Sequence, residues 1–414
     1  MPERTDMRRD DAAEPPAGGG RDAPARPFRV CFISPLGYGL YNPGSRMPFG
    51  GAEVQAYLLS RELARDRDFE VTVLATVAGA PAVERHDRLT LVTRTARGRR
   101  PEAPAQGMLA APARWLGYGR AFADMRRQLG AIGADCYVHA GGAGVEVGAY
   151  ALICRLLRKP FVYLVVSSAD LDDPHGKVAG PLKGLYRLGL RLADAVVCRT
   201  EEQRAALKRR YGRESLRIPS ACEAPAVPPE AGAGKTGLLW VGRGHPLKQP
   251  ELFLDLAARL PGERCAMVVM QEPRHPEVMP RLRARAAGLA NLTLHEDVPW
   301  REVGRLFEGA KLLVNTSTYE GFPTTFVQAA MQAVPILSWS VDPDGVLTRH
   351  GIGVCAGGSF ERLAAQAEQL CASEPQRVEM ARRARDYARG HHDLRRVVEQ
   401  WKDLVRALGE KTRR

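Results

Sequence analysis

The chain of 414 residues is too long for one ordinary hydrophobic core, and its length favours two domains of about 200 residues each. With 45% apolar and 26% charged residues it has the composition of a soluble globular protein, and no apolar run approaches the ~18 residues of a membrane-spanning helix. The net charge of +13 points either to polyanionic partners such as nucleotides or phospholipid, or to a solvated basic face. No helix-turn-helix, zinc-finger or RNA-binding aromatic signature accompanies it, so nucleic acid is not an expected partner.

Residues 1–27 hold five Arg against six acidic residues among Pro, Gly and Ala, and predict a disordered arm. From 28 a two-beat rhythm begins. Strand "FRVCFIS" (28–34) leads through a Gly/Pro-rich loop to a helix over 52–66, where Ala52, Ala56, Leu59 and Leu63 recur at helical spacing. Strands "EVTVLAT", "DCYVHA", "FVYLVV" and "AVVCRT" follow with helical segments between several of them. Continuous apolar strands separated by helices predict a parallel sheet covered on both faces, so residues 28–218 are expected to form one Rossmann-like domain.

"PSACEAPAVPPEAGAGKT" (219–236) breaks the rhythm and predicts a linker. The rhythm restarts at "GLLWVG" (237–242) and continues through helices over 248–260, 276–289 and 300–309, with strands "CAMVVM", "LTLH", "KLLVN" and "PILSW". Residues 237–390 are thus expected to form a second doubly wound α/β domain, with ligands in the cleft at the carboxyl ends of both sets of strands. The last segment, 391–408, places Leu394, Val397, Val398, Trp401, Leu404 and Leu408 on one helical face. It predicts either a helix crossing back to the first domain or a partner-binding helix. The basic stretch 113–130, with Trp115 and Phe122, suits either ordinary packing on the sheet or an anionic membrane surface. The eight cysteines have no C-x-x-C spacing and no His partner, which suits reduced thiols in a cytoplasm and gives no metal site.

Two local motifs carry little. "GAGKT" (232–236) has Pro229 where a phosphate-binding loop needs glycine, and it precedes a strand. "GGAGVEVG" (141–148) offers glycines at 142, 144 and 148, which fit a dinucleotide site or simply close helix packing; a nicotinamide-dependent oxidoreductase is the reaction class it would imply. A third pattern is split along the chain: "GGAE" (50–53), "VGRGHPLK" (241–248) and "EGFPTTFVQ" (320–328) each stand before a helix, where unpaired N–H groups favour anions. Arg243 and Lys248 add two cations, and Glu320 adds a carboxylate.

Together these residues resemble the family-four glycosyltransferases, the exopolysaccharide and lipopolysaccharide group 1 enzymes of the GT-B fold, over about residues 28–408. The resemblance implies retaining transfer of a sugar from a nucleotide-sugar donor to a glycan, lipid-linked or small-molecule acceptor. It implies no cofactor beyond that co-substrate and no metal, since "DLDD" (170–173) is the nearest thing to a metal cluster. By the same resemblance, Arg243 and Lys248 stabilise the leaving diphosphate, Gly50 and Gly51 let backbone approach the donor, and Glu320 accepts from sugar hydroxyls. Backbone N–H groups of Gly321, Phe322, Pro323, Thr324 and Thr325 would hold the donor, and Gln328 would address its ribose. Asp170, Asp172, His139 and Glu146 are candidates for the acceptor side. The chain departs from the family pattern at Gln328 (usually Glu), at Met270–Gln271 and Ala333 (usually Gly), and at 219–221. The strand-end and pocket changes leave the nucleotide preference open, and Gln328 and Ala333 motivate a catalytically degenerate nucleotide- or membrane-binding scaffold as the alternative. The expected place is the cytoplasm, with the inner membrane face as a peripheral site.

Overall fold

The computed structural model describes residues 26–45, 47, 49–94, 110–171, 182–226 and 234–413. The expected arm, Asp172 and the middle of the linker (227–233) lie outside the described residues, except that Arg26 ion-pairs with Asp135 at 2.9 Å. The first sheet holds β1 (Phe28–Ile33), β2 (Phe69–Thr76), β3 (Val83–His86), β4 (Leu89–Arg94), β5 (Cys136–Gly141), β6 (Phe161–Val165), β7 (Ala195–Cys198) and β8 (Leu216–Arg217). Its order is β3-β4-β2-β1-β5-β6-β7-β8, parallel throughout except for the antiparallel β3–β4 pair. That hairpin has no counterpart in the sequence-based reading. Three of the four residues of "VERH" are polar, and the turn rests on Asp87 at φ +53°, a left-handed conformation that Asp tolerates better than most residues.

The second sheet is wholly parallel: β9 (Leu238–Arg243), β10 (Cys265–Met270), β11 (Leu292–Glu296), β12 (Leu312–Asn315), β13 (Ile336–Ser338) and β14 (Gly353–Cys355), in the order β11-β10-β9-β12-β13-β14. This is the doubly wound order, and its reversal point lies between β9 and β12. The apolar runs become fully buried strands; Val71, Val162, Val197, Leu312 and Leu337 are each 0% exposed. Burying such a side chain contributes roughly 1.5–3 kcal/mol. All eight cysteines are free thiols, six of them buried, so they act as small hydrophobes.

Two strands of chain pass between the domains side by side. Cys222 N–H donates to His392 O at 2.9 Å, and Leu394 N–H donates to Cys222 O at 3.0 Å. Before the crossing, Gln55 clasps Ala221 in both directions, donating to its carbonyl at 2.9 Å and accepting its N–H at 2.6 Å. The start of the expected linker is therefore packed chain. After the crossing, the helix Leu394–Arg413 lies on the helix Gly51–Arg65, and Leu394, Val397, Val398, Trp401 and Val405 are buried in the core of the first domain.

Candidate active site

Both sheets present their carboxyl ends to the junction between the domains. On the C-terminal side, β9 ends at Arg243 and leads into the short turn Pro246–Lys248. His245 caps that turn by accepting the Leu247 N–H at 3.1 Å; burial, then neighbouring His275, lowers its pKa to about 4, which keeps the ring a neutral acceptor. The loop after β12 is stitched to this turn. Trp240 Nε1 donates to Thr316 Oγ1 at 2.8 Å, Thr316 Oγ1 donates to Lys248 O at 2.6 Å, and Thr318 N–H donates to Leu247 O at 2.9 Å. The stitching brings Lys248 Nζ into an ion pair with Glu320, whose carboxylate also accepts from Ser317 Oγ at 2.7 Å. Arg243 is paired too, with Glu272 at 2.9 Å. Glu272 carried no signal in the sequence: it is a single acid in the loop after β10, outside every motif.

The helix Thr324–Met331 starts directly after this loop. Pro323 occupies its N-cap position with φ −58° and ψ 126°, and, having no N–H, it sets the chain direction and cannot donate to a ligand. The expected donor role at that position is therefore corrected. The Phe322 ring packs inward: the residue is 6% exposed and its ring centre lies 4.7 Å from that of His392, at the crossing between the domains. Thr324 and Thr325 begin the helix, where N–H groups lack intrahelical acceptors. Thr324 Oγ1 is buried with no hydrogen-bond partner. Gln328, one turn on, lies on the face of Thr324 and is 8% exposed.

The N-terminal domain closes over these groups. Gly50 caps the helix Gly51–Arg65 in extended conformation, and Glu53 accepts its N–H at 2.8 Å. A Cβ on Gly50 would lie 3.5 Å from Arg243 Nη1, and one on Gly51 would lie 2.9 Å from Thr324 Oγ1. Both glycines thus permit the backbone to approach the opposite domain closely. Phe49 packs edge-on to Trp300 with ring centres 6.4 Å apart. The structure therefore brings together Gly50, Gly51, Arg243, Lys248, Glu320 and Thr324, drawn from segments up to about 270 positions apart.

His139 and Asp170 stand at the ends of β5 and beyond β6, and both are 4% exposed. His139 Nδ1 donates to Ile33 O at 2.9 Å; burial lowers its pKa. Asp170 accepts the Ala143 N–H at 3.1 Å and the Ser167 N–H at 2.9 Å, so its carboxylate holds two strand-end loops in place. Gly148 of the segment 141–148 has a packing explanation: a Cβ on it would lie 2.1 Å from Leu185 O, and Gly189 faces it from the same helix, Leu182–Leu192. Among the described residues, no three His, Cys, Asp or Glu side chains cluster as a metal site, and no helix is long and apolar enough to cross a membrane. Ala333 takes a left-handed φ of +50° just past the end of the helix Thr324–Met331. Its departure from the usual glycine thus falls at a helix terminus.

Two family models divide the chain, Glycosyltransferase Family 4 over residues 49–219 and Glycosyl transferases group 1 over residues 229–389. No curated protein sequence matches it. Among solved structures, sucrose-phosphate synthase from Thermosynechococcus elongatus aligns with a TM-score of 0.72 at 15% identity, over 92% of this chain and 99% of that one. Anabaena HepE in complex with UDP and glucose aligns at 0.67 with 17% identity, over 91% and 99%. The E. coli trehalose-6-phosphate protein bound with UDP-2-fluoro glucose aligns at 0.68 with 12% identity, over 91% and 98%. At these identities the likeness concerns the fold. Two matched halves, two facing Rossmann-like domains and a shared architecture over nine-tenths of the chain lead to one assignment: the protein belongs to the group 1 glycosyltransferases of the GT-B fold.

Proposed function

We propose that the protein transfers a sugar, with retention of anomeric configuration and without a metal ion, from a nucleotide-sugar to a glycan, lipid-linked or small-molecule acceptor. The observation that carries this reading is the Lys248–Glu320 pair set beside Arg243 and the start of the helix Thr324–Met331. UDP and glucose in the HepE complex, and UDP-2-fluoro glucose in the E. coli protein, support the donor class.

The chemistry follows from charge. Cleaving the sugar–phosphate bond leaves a diphosphate whose negative charge grows in the transition state, and pre-placed cations stabilise it without reorganising solvent. Arg243 and Lys248 are held ready by Glu272 and Glu320. When phosphate takes over Lys248, Glu320 becomes available to sugar hydroxyls while Ser317 keeps it oriented. Thr324 and Thr325 offer N–H groups to the phosphates. The donor phosphate takes the acceptor proton, so no enzymatic nucleophile is assigned. His139 and Asp170 border the acceptor side. The expected setting is the cytoplasm, with the acceptor drawn from solution or from the membrane face.

The test is a ligand screen of UDP-, GDP- and dTDP-sugars by thermal shift without added metal, followed by donor hydrolysis and NMR of the product anomer. One nucleotide-sugar should stabilise the fold and be turned over with retention. Binding without hydrolysis or transfer would favour the scaffold reading; inversion would overturn the stereochemical one.

A further inference from the structure

Beside Glu320 the two domains meet through contacts that the donor chemistry does not require. Ser168 N–H donates to Glu320 O at 3.2 Å. Gly321 is pressed onto the N-terminal domain: a Cβ there would lie 2.7 Å from Val166 O and 2.6 Å from Gln203 Nε2. Close by, the carboxylate of Asp344 reaches from the C-terminal domain to the first turn of the helix Glu201–Tyr211. It accepts the N–H groups of Glu201 and Glu202, each at 2.9 Å. That helix already has its own cap, Thr200, which accepts the Gln203 N–H at 3.0 Å. Asp344 therefore satisfies the two first-turn donors that the chain's own cap leaves open.

Asp344 sits at φ +54° in the short turn Pro343–Gly345, followed by Gly345 at φ +66°, and Arg349 donates to its carbonyl. A non-glycine residue in that conformation is uncommon, and here it aims the carboxylate across the junction. The same junction also carries opposing groups. Arg199 is 4% exposed and its Nη2 has no hydrogen-bond partner, nor does Nε2 of the 1% exposed Gln203. Unpaired buried donors are unfavourable and would regain water on separation. The closed junction is thus opposed by Arg199 and Gln203 and held by a few directed bonds, among them the Asp344 pair, whose carboxylate also lies 4.0 Å from Arg217 Nη1.

We infer that Asp344 is a positioning residue: by capping the helix Glu201–Tyr211 from the opposite domain, it seats the loop of Glu320 and Gly321 for the donor sugar. The inference deepens the glycosyl-transfer reading and rests on it for its kinetic consequence. Removing the carboxylate should let the junction open more often, so that donor affinity falls while the chemistry of the closed complex is unchanged.

The variants are Asp344→Gly, which keeps the left-handed backbone without the carboxylate, and Asp344→Asn, which keeps that backbone and one acceptor oxygen. Amide hydrogen exchange of the full chain, without any sugar, should show Glu201 and Glu202 exchanging at least tenfold faster in Asp344→Gly and partly restored in Asp344→Asn. With the donor found in the screen, Asp344→Gly should raise KM about tenfold, change kcat less than twofold and leave the affinity for the nucleoside diphosphate alone unchanged. Unchanged exchange at Glu201 and Glu202 overturns the latch whatever the reaction is. Faster exchange with unchanged KM overturns the positioning role. Faster exchange in a protein that turns over no nucleotide-sugar keeps the latch and instead removes the proposed function.

Discussion

The two walls of the cleft are built differently. On the C-terminal wall the charged groups are paired with one another: Arg243 with Glu272, and Lys248 with Glu320. On the N-terminal wall two buried polar groups are held by backbone, His139 by the Ile33 carbonyl and Asp170 by two N–H groups. Side-chain pairs can exchange partners when an anion arrives, because both members keep their charge and one is freed. Backbone-held groups cannot let go without unravelling a loop. The C-terminal wall is thus suited to chemistry and the N-terminal wall to shape.

The largest test of that contrast is removal of the cations. Arg243→Ala and Lys248→Ala should each lower transfer by about 10²–10³-fold; Arg243→Ala should also lower the thermal midpoint, because it strands the Glu272 carboxylate, whose side chain is 7% exposed. Unchanged turnover in both, measured under saturating donor, would break the assignment of the C-terminal wall. Next comes Asp170→Ala, which strands the Ala143 and Ser167 N–H groups and should cost about 2–3 kcal/mol of stability by denaturant unfolding. A loss of activity with intact stability would mean that Asp170 acts on the acceptor directly.

Smaller still is a pH effect at the crossing between domains. His392 is 2% exposed, its Nδ1 donates to Ser220 O at 2.7 Å, and burial lowers its pKa to about 4. Because the folded value lies below the unfolded one, its stabilising contribution is present above the unfolded pKa of about 6.5. It is lost as pH falls towards about 4, at about 1.4 kcal/mol per pH unit. His245 adds in the same window. Denaturant unfolding between pH 7 and 4.5 should therefore show a slope that is shallower in His392→Gln; an identical slope would remove His392 from the account. The smallest effect concerns Gln328. A carboxylate there can accept from both ribose hydroxyls, whereas the amide has one acceptor, so Gln328→Glu should tighten nucleotide binding by about 1 kcal/mol. A large fall in activity would mean that the amide serves another contact.

The same contrast explains what could be read in the sequence. "VGRGHPLK" and "EGFPTTFVQ" each carry their site residues within eight or nine consecutive positions, so Arg243, Lys248, Glu320 and Thr324 could be named before any fold was known. Their partners could not. Glu272 lies in the loop after β10, Arg199 just after β7, Gln203 in the helix Glu201–Tyr211 and Asp344 in the turn Pro343–Gly345, and each acquires meaning only from what the sheet order places opposite it. Phe322 and Pro323 share the motif but serve the core and the turn, because a motif marks backbone geometry as well as contacts. Ala333, a departure from the family's usual glycine, proves to be a left-handed residue at a helix end. In the hairpin β3–β4, "VERH" has one apolar residue in four and carries no periodicity, whereas "LTLVTR" alternates between buried and half-buried positions and is legible as a strand.

The most direct test of the account is Glu320→Gln, assayed for sugar transfer while the affinity for the nucleoside diphosphate alone is measured in parallel. If Glu320 reads the sugar and only parks on Lys248, transfer should fall by about two orders of magnitude, while nucleoside diphosphate affinity is kept or tightened by the freed lysine. Unchanged transfer, or a matching loss of diphosphate affinity, would contradict it.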